Sequence, residues 1–177
     1  MLDRSMKVSV RQSSLTLPTY EIIGENPNPV FRSQYGVVHI YPYTLLDDIA
    51  SKPTDKTYHT LELENQYLKV IVIPDLGGRV YSVFDKISNR EVFYKNSVVK
   101  FSPLAIRGAF FSGGVEFSFP VAHAPTTADP VNWDMHENAD GSASVSFGGL
   151  EHISGMRWMI TLTLFPDRCA LAQDVHL

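Results

Sequence analysis

The chain has a single cysteine, Cys169, which can form no internal disulfide and supplies no metal-ligand pair. That fits a reducing compartment. Basic charge is also in short supply: 15 Lys and Arg stand against 19 Asp and Glu, a formal net charge of -4. Without a basic surplus to hold phosphates, nucleic acid is not an expected partner. The apolar runs are far too short to span a bilayer, so no membrane partner is expected. The opening residues M-L-D-R-S-M-K lack the apolar core of a secretory signal, and a cytoplasmic location is expected. Helical periodicity is scarce too, with no convincing helix longer than a turn or two, no internal repeat and no low-complexity segment.

What remains is a soluble balance, 44% apolar and 19% charged, in 177 residues, enough for one domain with a real core. Short β-rich runs alternate with turn signals every eight to twelve residues or so. Such spacing predicts an all-β antiparallel sandwich or barrel. Residues 7–11 and 15–23 read as a strand pair or one long edge strand, and residues 37–41 as a further strand. Residues 45–57 are polar around one short apolar patch and read as a loop or a single helical turn.

Regular patterning starts at Tyr58. Residues 59–64 and 67–73 flank Asn65-Gln66 and predict a hairpin. The second of these strands is apolar on both faces, which marks an interior strand between layers. Asn138–Gly141 (N-A-D-G) is a second hairpin signal, and residues 155–165 and 169–177 complete the alternating runs. We expect residues 1–57 to supply N-terminal strands and a loop packing on the main sheet, and residues 58–177 the main sandwich, in one structural domain. The last run has no cap, turn or polar tail after it. An edge left open there invites association of chains into a homo-oligomer.

Residues 107–127, R-G-A-F-F-S-G-G-V-E-F-S-F-P-V-A-H-A-P-T-T, carry the densest chemistry. Along residues 115–119, Val115, Phe117 and Phe119 share one face and Glu116 and Ser118 the other, because side chains alternate along a strand. Glu116 between aromatics either reaches a polar cleft, where it can accept hydrogen bonds or exchange a proton, or is a structural carboxylate paired with Arg107 or Arg79. His123 can act as a general acid near neutral pH, or merely tie down the turn before Pro125. Arg79, after Gly77-Gly78, can aim its fork at a ligand or satisfy loop carbonyls, and Arg107 has the same two readings. Trp133, beside Asp134 and His136, can stack on a sugar ring, whereas Trp158 lies on an apolar strand face and reads as core. His136 with Glu137, and His152 with Glu151, are strand neighbours that point to opposite faces. No metal and no cofactor are therefore expected.

The run L-E-N-Q-Y-L-K-V-I-V-I-P-D-L-G-G-R-V-Y-S-V-F-D-K-I-S-N-R-E-V-F-Y resembles the opening of galactose-mutarotase-like domains. With S-G-G-V-E-F-S-F-P, A-P-T-T, D-G-S-A-S-V and G-M-R-W it is similar above all to one branch, the domain-of-unknown-function family 5107, whose members often carry tetratricopeptide repeats downstream. The resemblance implies the N-terminal half of a β-supersandwich with a sugar cradle on its concave face. Mutarotases use a histidine acid and a glutamate base, and the resemblance implies that the base comes from the C-terminal half, which this chain does not contain. Arg107 sits where sugar-phosphate epimerases have I-R-G-G, but this chain reads I-R-G-A with its glycine pair five residues later. The leading expectation is carbohydrate recognition, of a sugar or oligosaccharide, in one cleft formed by Arg79, Arg107, Glu116, His123 and Trp133. Glu116 and His123 are its catalytic candidates, for epimerisation or glycoside chemistry. The alternatives are a non-catalytic protein-interaction β-module and a truncated product without independent activity.

Overall fold

The computed structural model describes residues 7–27, 32–33, 36–37, 40–102, 104, 107–119 and 123–177. Its strands in chain order are β1 (Ser9–Tyr20), β2 (Ile22–Asn26), β3 (Arg32–Ser33), β4 (Gly36–Val37), β5 (Leu45–Ile49), β6 (Thr54–Glu64), β7 (Leu68–Ile73), β8 (Arg79–Asp85), β9 (Arg90–Glu91), β10 (Val99–Lys100), β11 (Asn132–Glu137), β12 (Ala143–Leu150), β13 (Arg157–Leu164) and β14 (Leu171–His176). Two single turns of 3-10 helix, Pro74–Leu76 and Pro125–Ala128, interrupt them. The chain is all-β, and among the described residues no helix is long and apolar enough to cross a membrane.

Two sheets carry the fold. One has six strands in the order β10-β1-β6-β7-β8-β9, the other four in the order β11-β12-β13-β14. Pairing is antiparallel throughout both sheets except for the short β1–β10 contact. Alternation explains how the sheets meet. Leu61 and Leu63 of β6 and Val70 and Val72 of β7 point to one side and pack against Phe147, Ile160, Leu162 and Leu164 of the smaller sheet. Each of these side chains is almost wholly buried, a gain of roughly 1.5–3 kcal/mol apiece.

The other face of the larger sheet holds a second cluster, Tyr58, Ile73, Tyr81, Val99, Phe101 and Phe111. The sheet is therefore covered on both sides around β7, as its two-sided apolar pattern requires. The Asn65 turn ties the sheets at one end. Its Oδ1 accepts from the N–H groups of Tyr67 and Leu68, while its Nδ2 donates to the carbonyls of Phe165 and Arg168 after β13.

One segment departs from the sequence reading. Residues 45–49 form a strand paired with β2 through an irregular register, and β6 already begins at Thr54. Asp47 and Asp48 hide this strand from a local pattern, while Leu46, 2% exposed, anchors it from a distance. In the N-terminal segment, β1 pairs along eleven positions with β6 as a member of the larger sheet. The strand expected at residues 37–41 falls partly outside the described residues, with Val37 in the two-residue β4.

Candidate functional site

The site begins at the turn between β7 and β8. Pro74 ends β7, and Gly77 and Gly78 follow with φ of 67° and 71°, a left-handed conformation that suits glycine. Space demands glycine as well. A Cβ on Gly78 would lie 2.2 Å from a ring carbon of Phe147, and one on Gly77 would lie 2.7 Å from Thr127 Cα. This close approach lets the Gly77 N–H donate to the Asp129 carbonyl at 2.9 Å, docking the turn on the Pro125–Ala128 segment.

Arg79 leaves that turn pointing inward and is only 4% exposed. Its Nη1 donates to the Gly113 carbonyl at 2.8 Å, its Nη2 lies 3.4 Å from Glu116 Oε2, and its guanidinium sits 3.9 Å from the centre of the Phe111 ring. Burial pulls this guanidinium below its ordinary pKa, and the Glu116 carboxylate opposes that shift.

The Gly113–Phe119 stretch reaches the site through one bridge, with Val80 and Val115 exchanging both main-chain hydrogen bonds. The rest of it joins no ladder, so the expected strand is an extended loop, yet the expected division of faces holds. Phe117 packs on Phe147 and Phe119 on Trp158, with ring centroids 5.6 and 5.7 Å apart. Glu116 turns the other way, 12% exposed at its side chain. Its Oε1 accepts from Thr127 Oγ1 at 3.0 Å and from Ser118 Oγ at 3.4 Å, and its Oε2 lies 3.3 Å from His123 Nδ1.

His123 has φ of 56°, an uncommon conformation for a residue with a side chain. Three contacts hold it there: its N–H donates to Ser118 Oγ at 3.1 Å, its ring meets Phe110 edge-on at 4.6 Å, and its Nδ1 faces Glu116. A carboxylate at Nδ1 favours the tautomer with the proton there and leaves Nε2 as the working atom. The imidazole is 45% exposed, and Nε2 has no partner among the described residues.

Arg107 and Trp133 stand elsewhere, which corrects the expectation of a single cleft holding all five residues. Arg107, 5% exposed, spends its fork on the protein: Nε donates to the Thr44 carbonyl at 3.0 Å, Nη1 to the Pro125 carbonyl at 3.1 Å and to Asp129 Oδ2 at 2.6 Å, and Nη2 to Thr44 Oγ1 at 3.3 Å. It borders a cleft of about 580 Å³ with Tyr43, Asp129, Asn132 and His152. Desolvation raises the Asp129 pKa and Arg107 opposes the rise. Trp133 lies on the edge strand β11, 38% exposed, and borders a separate cleft of about 490 Å³ with Gly149, Trp158 and Met159.

The Pro125–Ala128 turn connects these stations. Its Pro125 carbonyl accepts from Arg107, and its Thr127 hydroxyl donates to Glu116. Thr127, Asp129 and Phe110 escaped the sequence reading because each acts across the chain from a loop, with no spacing that announces it. Among the described residues no three His, Cys, Asp or Glu side chains converge as a metal site would require.

Residues 35–176 match the family described as Domain of unknown function (DUF5107). The chain belongs to the DUF5107 family. Arg79, Arg107, Glu116, His123 and Trp133 all fall inside the stretch that matches DUF5107. The fold is similar to the crystal structure of a TPR-domain containing protein from Parabacteroides distasonis ATCC 8503, with a TM-score of 0.85 and 30% sequence identity. That likeness covers 97% of this chain and 29% of the other, so the chain spans less than a third of that protein's length.

Proposed function

We propose that this DUF5107 chain recognises carbohydrate, with His123 as the group that meets a sugar hydroxyl or ring oxygen and Glu116 as the carboxylate that holds its imidazole in place. The observation that carries this reading is the Glu116 Oε2 to His123 Nδ1 contact at 3.3 Å, made in a left-handed backbone and leaving Nε2 exposed. Strained backbone at a polar, half-exposed histidine is the kind of feature that clusters at ligand sites. A carboxylate-oriented imidazole holds its free nitrogen in a fixed direction for a hydrogen bond to a ligand. Glu116 itself is too enclosed to meet a sugar, so its part is positioning. The resemblance to galactose-mutarotase-like domains supports the ligand class.

Saturation-transfer NMR on the purified chain, against free aldoses, sugar phosphates and short oligosaccharides, tests the reading. Transfer to one sugar class, abolished in His123→Gly, is the expected result. A well-dispersed protein spectrum with no transfer to any sugar rejects it.

A second reading, a non-catalytic protein-interaction module, draws on the likeness to a protein described as TPR-domain containing. In that reading the folded chain binds no sugar and its exposed sheet edges serve macromolecular contacts.

A further inference from the structure

The clefts beside Arg107 and beside Trp133 share four bordering residues, Asn132, Gly148, Gly149 and Leu150. They therefore adjoin along the end of β12, where Gly148 and Gly149 lie beside Asn132 and Leu150. The two glycines have different reasons to be there. A Cβ on Gly148 would lie 2.1 Å from the Trp158 carbonyl oxygen, so packing demands glycine. A Cβ on Gly149 would meet nothing within 4 Å among the described residues.

Glycine inside a strand weakens it, and its usual reasons are a bulge, a tight bend, or the close approach of a ligand or another backbone. At Gly149 the β12–β13 register runs unbroken from Ala143 to Leu150, which removes the bulge. Its φ lies outside the left-handed region, and none of the described residues approaches it. The open space beside it is room for a ligand's approach.

The surroundings fit a polyol with apolar faces. Trp133 is a half-open aromatic surface, and Trp158, 4% exposed and bordering the same cleft, carries an indole N–H without an acceptor among the described residues. Arg157 is exposed on the rim without a partner among the described residues, and Asn132 and Asp134 add planar polar groups. Across the glycine step lie Asp129 and His152. Each cleft alone has the volume of a small-molecule site, roughly 300–1,000 Å³. The groove also lies next to the His123 cluster, since Phe119 rests on Trp158 and Thr126 borders the Arg107 cleft one residue before Thr127 bonds Glu116.

We propose that the two clefts are one groove for a linear oligosaccharide of two or more pyranose rings. Trp133 is its stacking face, and Gly149 is the residue whose missing side chain keeps the groove continuous. This rests on the carbohydrate reading above and goes further in naming the ligand's length and the residue that admits it.

Calorimetric titration of the purified chain with gluco-, manno- and xylo-oligosaccharides of one to five units tests it, in the native chain and in Gly149→Val. Affinity should rise about tenfold or more from one unit to three, or about 1.4 kcal/mol. Gly149→Val should lose that gain and bind the trimer no better than the monomer, with a melting temperature no lower than the native one, since the Cβ enters open space and valine suits a strand. Trp133→Ser, altered at a half-exposed position, should lose it as well. Affinity independent of length, or Gly149→Val and Trp133→Ser binding the trimer like the native chain, overturns the groove and leaves the carbohydrate reading standing if monosaccharide binding still depends on His123. No binding of any sugar rejects both.

Discussion

Glu116 and His123 meet at 3.3 Å through Oε2 and Nδ1, and both ends of the loop between them are fastened. Arg79 holds the Glu116 end through its carboxylate and the Gly113 carbonyl. Arg107 holds the far end through Pro125 and Asp129. Each arginine is almost fully buried, so the two act as clamps on the segment that presents the imidazole.

Replacing Glu116 tests the first clamp. Glu116→Gln leaves the buried Arg79 charge without its carboxylate and should cost about 1–3 kcal/mol, read as a lower denaturant midpoint. The loss registers in stability because the pair is enclosed, with the Arg79 and Glu116 side chains 3% and 12% exposed. Arg79→Met should cost less in the Glu116→Gln background than in the native chain, with a coupling of about 1 kcal/mol. Additive effects would show that the two side chains do not interact.

His123→Gly separates binding from folding. Glycine relieves the left-handed backbone, worth roughly 1–2 kcal/mol, while the lost contacts to Phe110 and Glu116 act in the opposite direction by a similar amount. Stability should stay within about 1 kcal/mol of the native value while sugar binding disappears. A large loss of stability would make His123 a structural residue.

Arg107→Lys keeps the charge but loses the fork that serves Thr44, Pro125 and Asp129 together. It should lower stability by about 1–3 kcal/mol through the carbonyls left unpaired. An unchanged denaturant midpoint would show that a single ammonium can do the same work.

Acid should unfold the protein partly through Glu151 and Glu62. Burial raises both pKa values, but hydrogen bonds outweigh it: from the Ser154 side chain, the Ile153 and Ser154 N–H groups and Tyr43 for Glu151, and from Arg11 and Lys69 for Glu62. Both end below the ordinary carboxylate value. A group depressed in the folded state stabilises it above the unfolded pKa, about 4.3 for glutamate, and that contribution is lost as pH falls through the folded pKa. Asp129, raised on folding, acts with the opposite sign: its contribution is present at low pH and lost as pH rises through its folded pKa. Glu151→Gln should therefore be less stable than the native chain at pH 7 and show a shallower loss below pH about 4 in denaturant titrations. An acid limb as steep as the native one would assign the effect to other carboxylates.

Local pattern was enough for some elements and blind to others. Alternation along residues 115–119 put Glu116 and the aromatics on their correct sides, because face depends only on neighbours in sequence. The Asn65 and N-A-D-G turns and the two-sided β7 were legible for the same reason. Membership of one cleft is different, because it depends on which loops fold over which sheet. Arg107 and Trp133 went to separate clefts, held by Thr44 and by the β11–β12 register, partners tens of residues distant from Arg107 or set by sheet packing for Trp133. The strand at residues 45–49 was missed because only its pairing with β2 makes it one.

The most direct test of the proposed carbohydrate site is a set of amide correlation spectra of the isotope-labelled chain, recorded as each sugar of the panel is added. The account predicts that one sugar class shifts the amides of Gly113, His123 and Thr127, and that these shifts vanish in His123→Gly. A dispersed spectrum in which no sugar moves those three amides would contradict it.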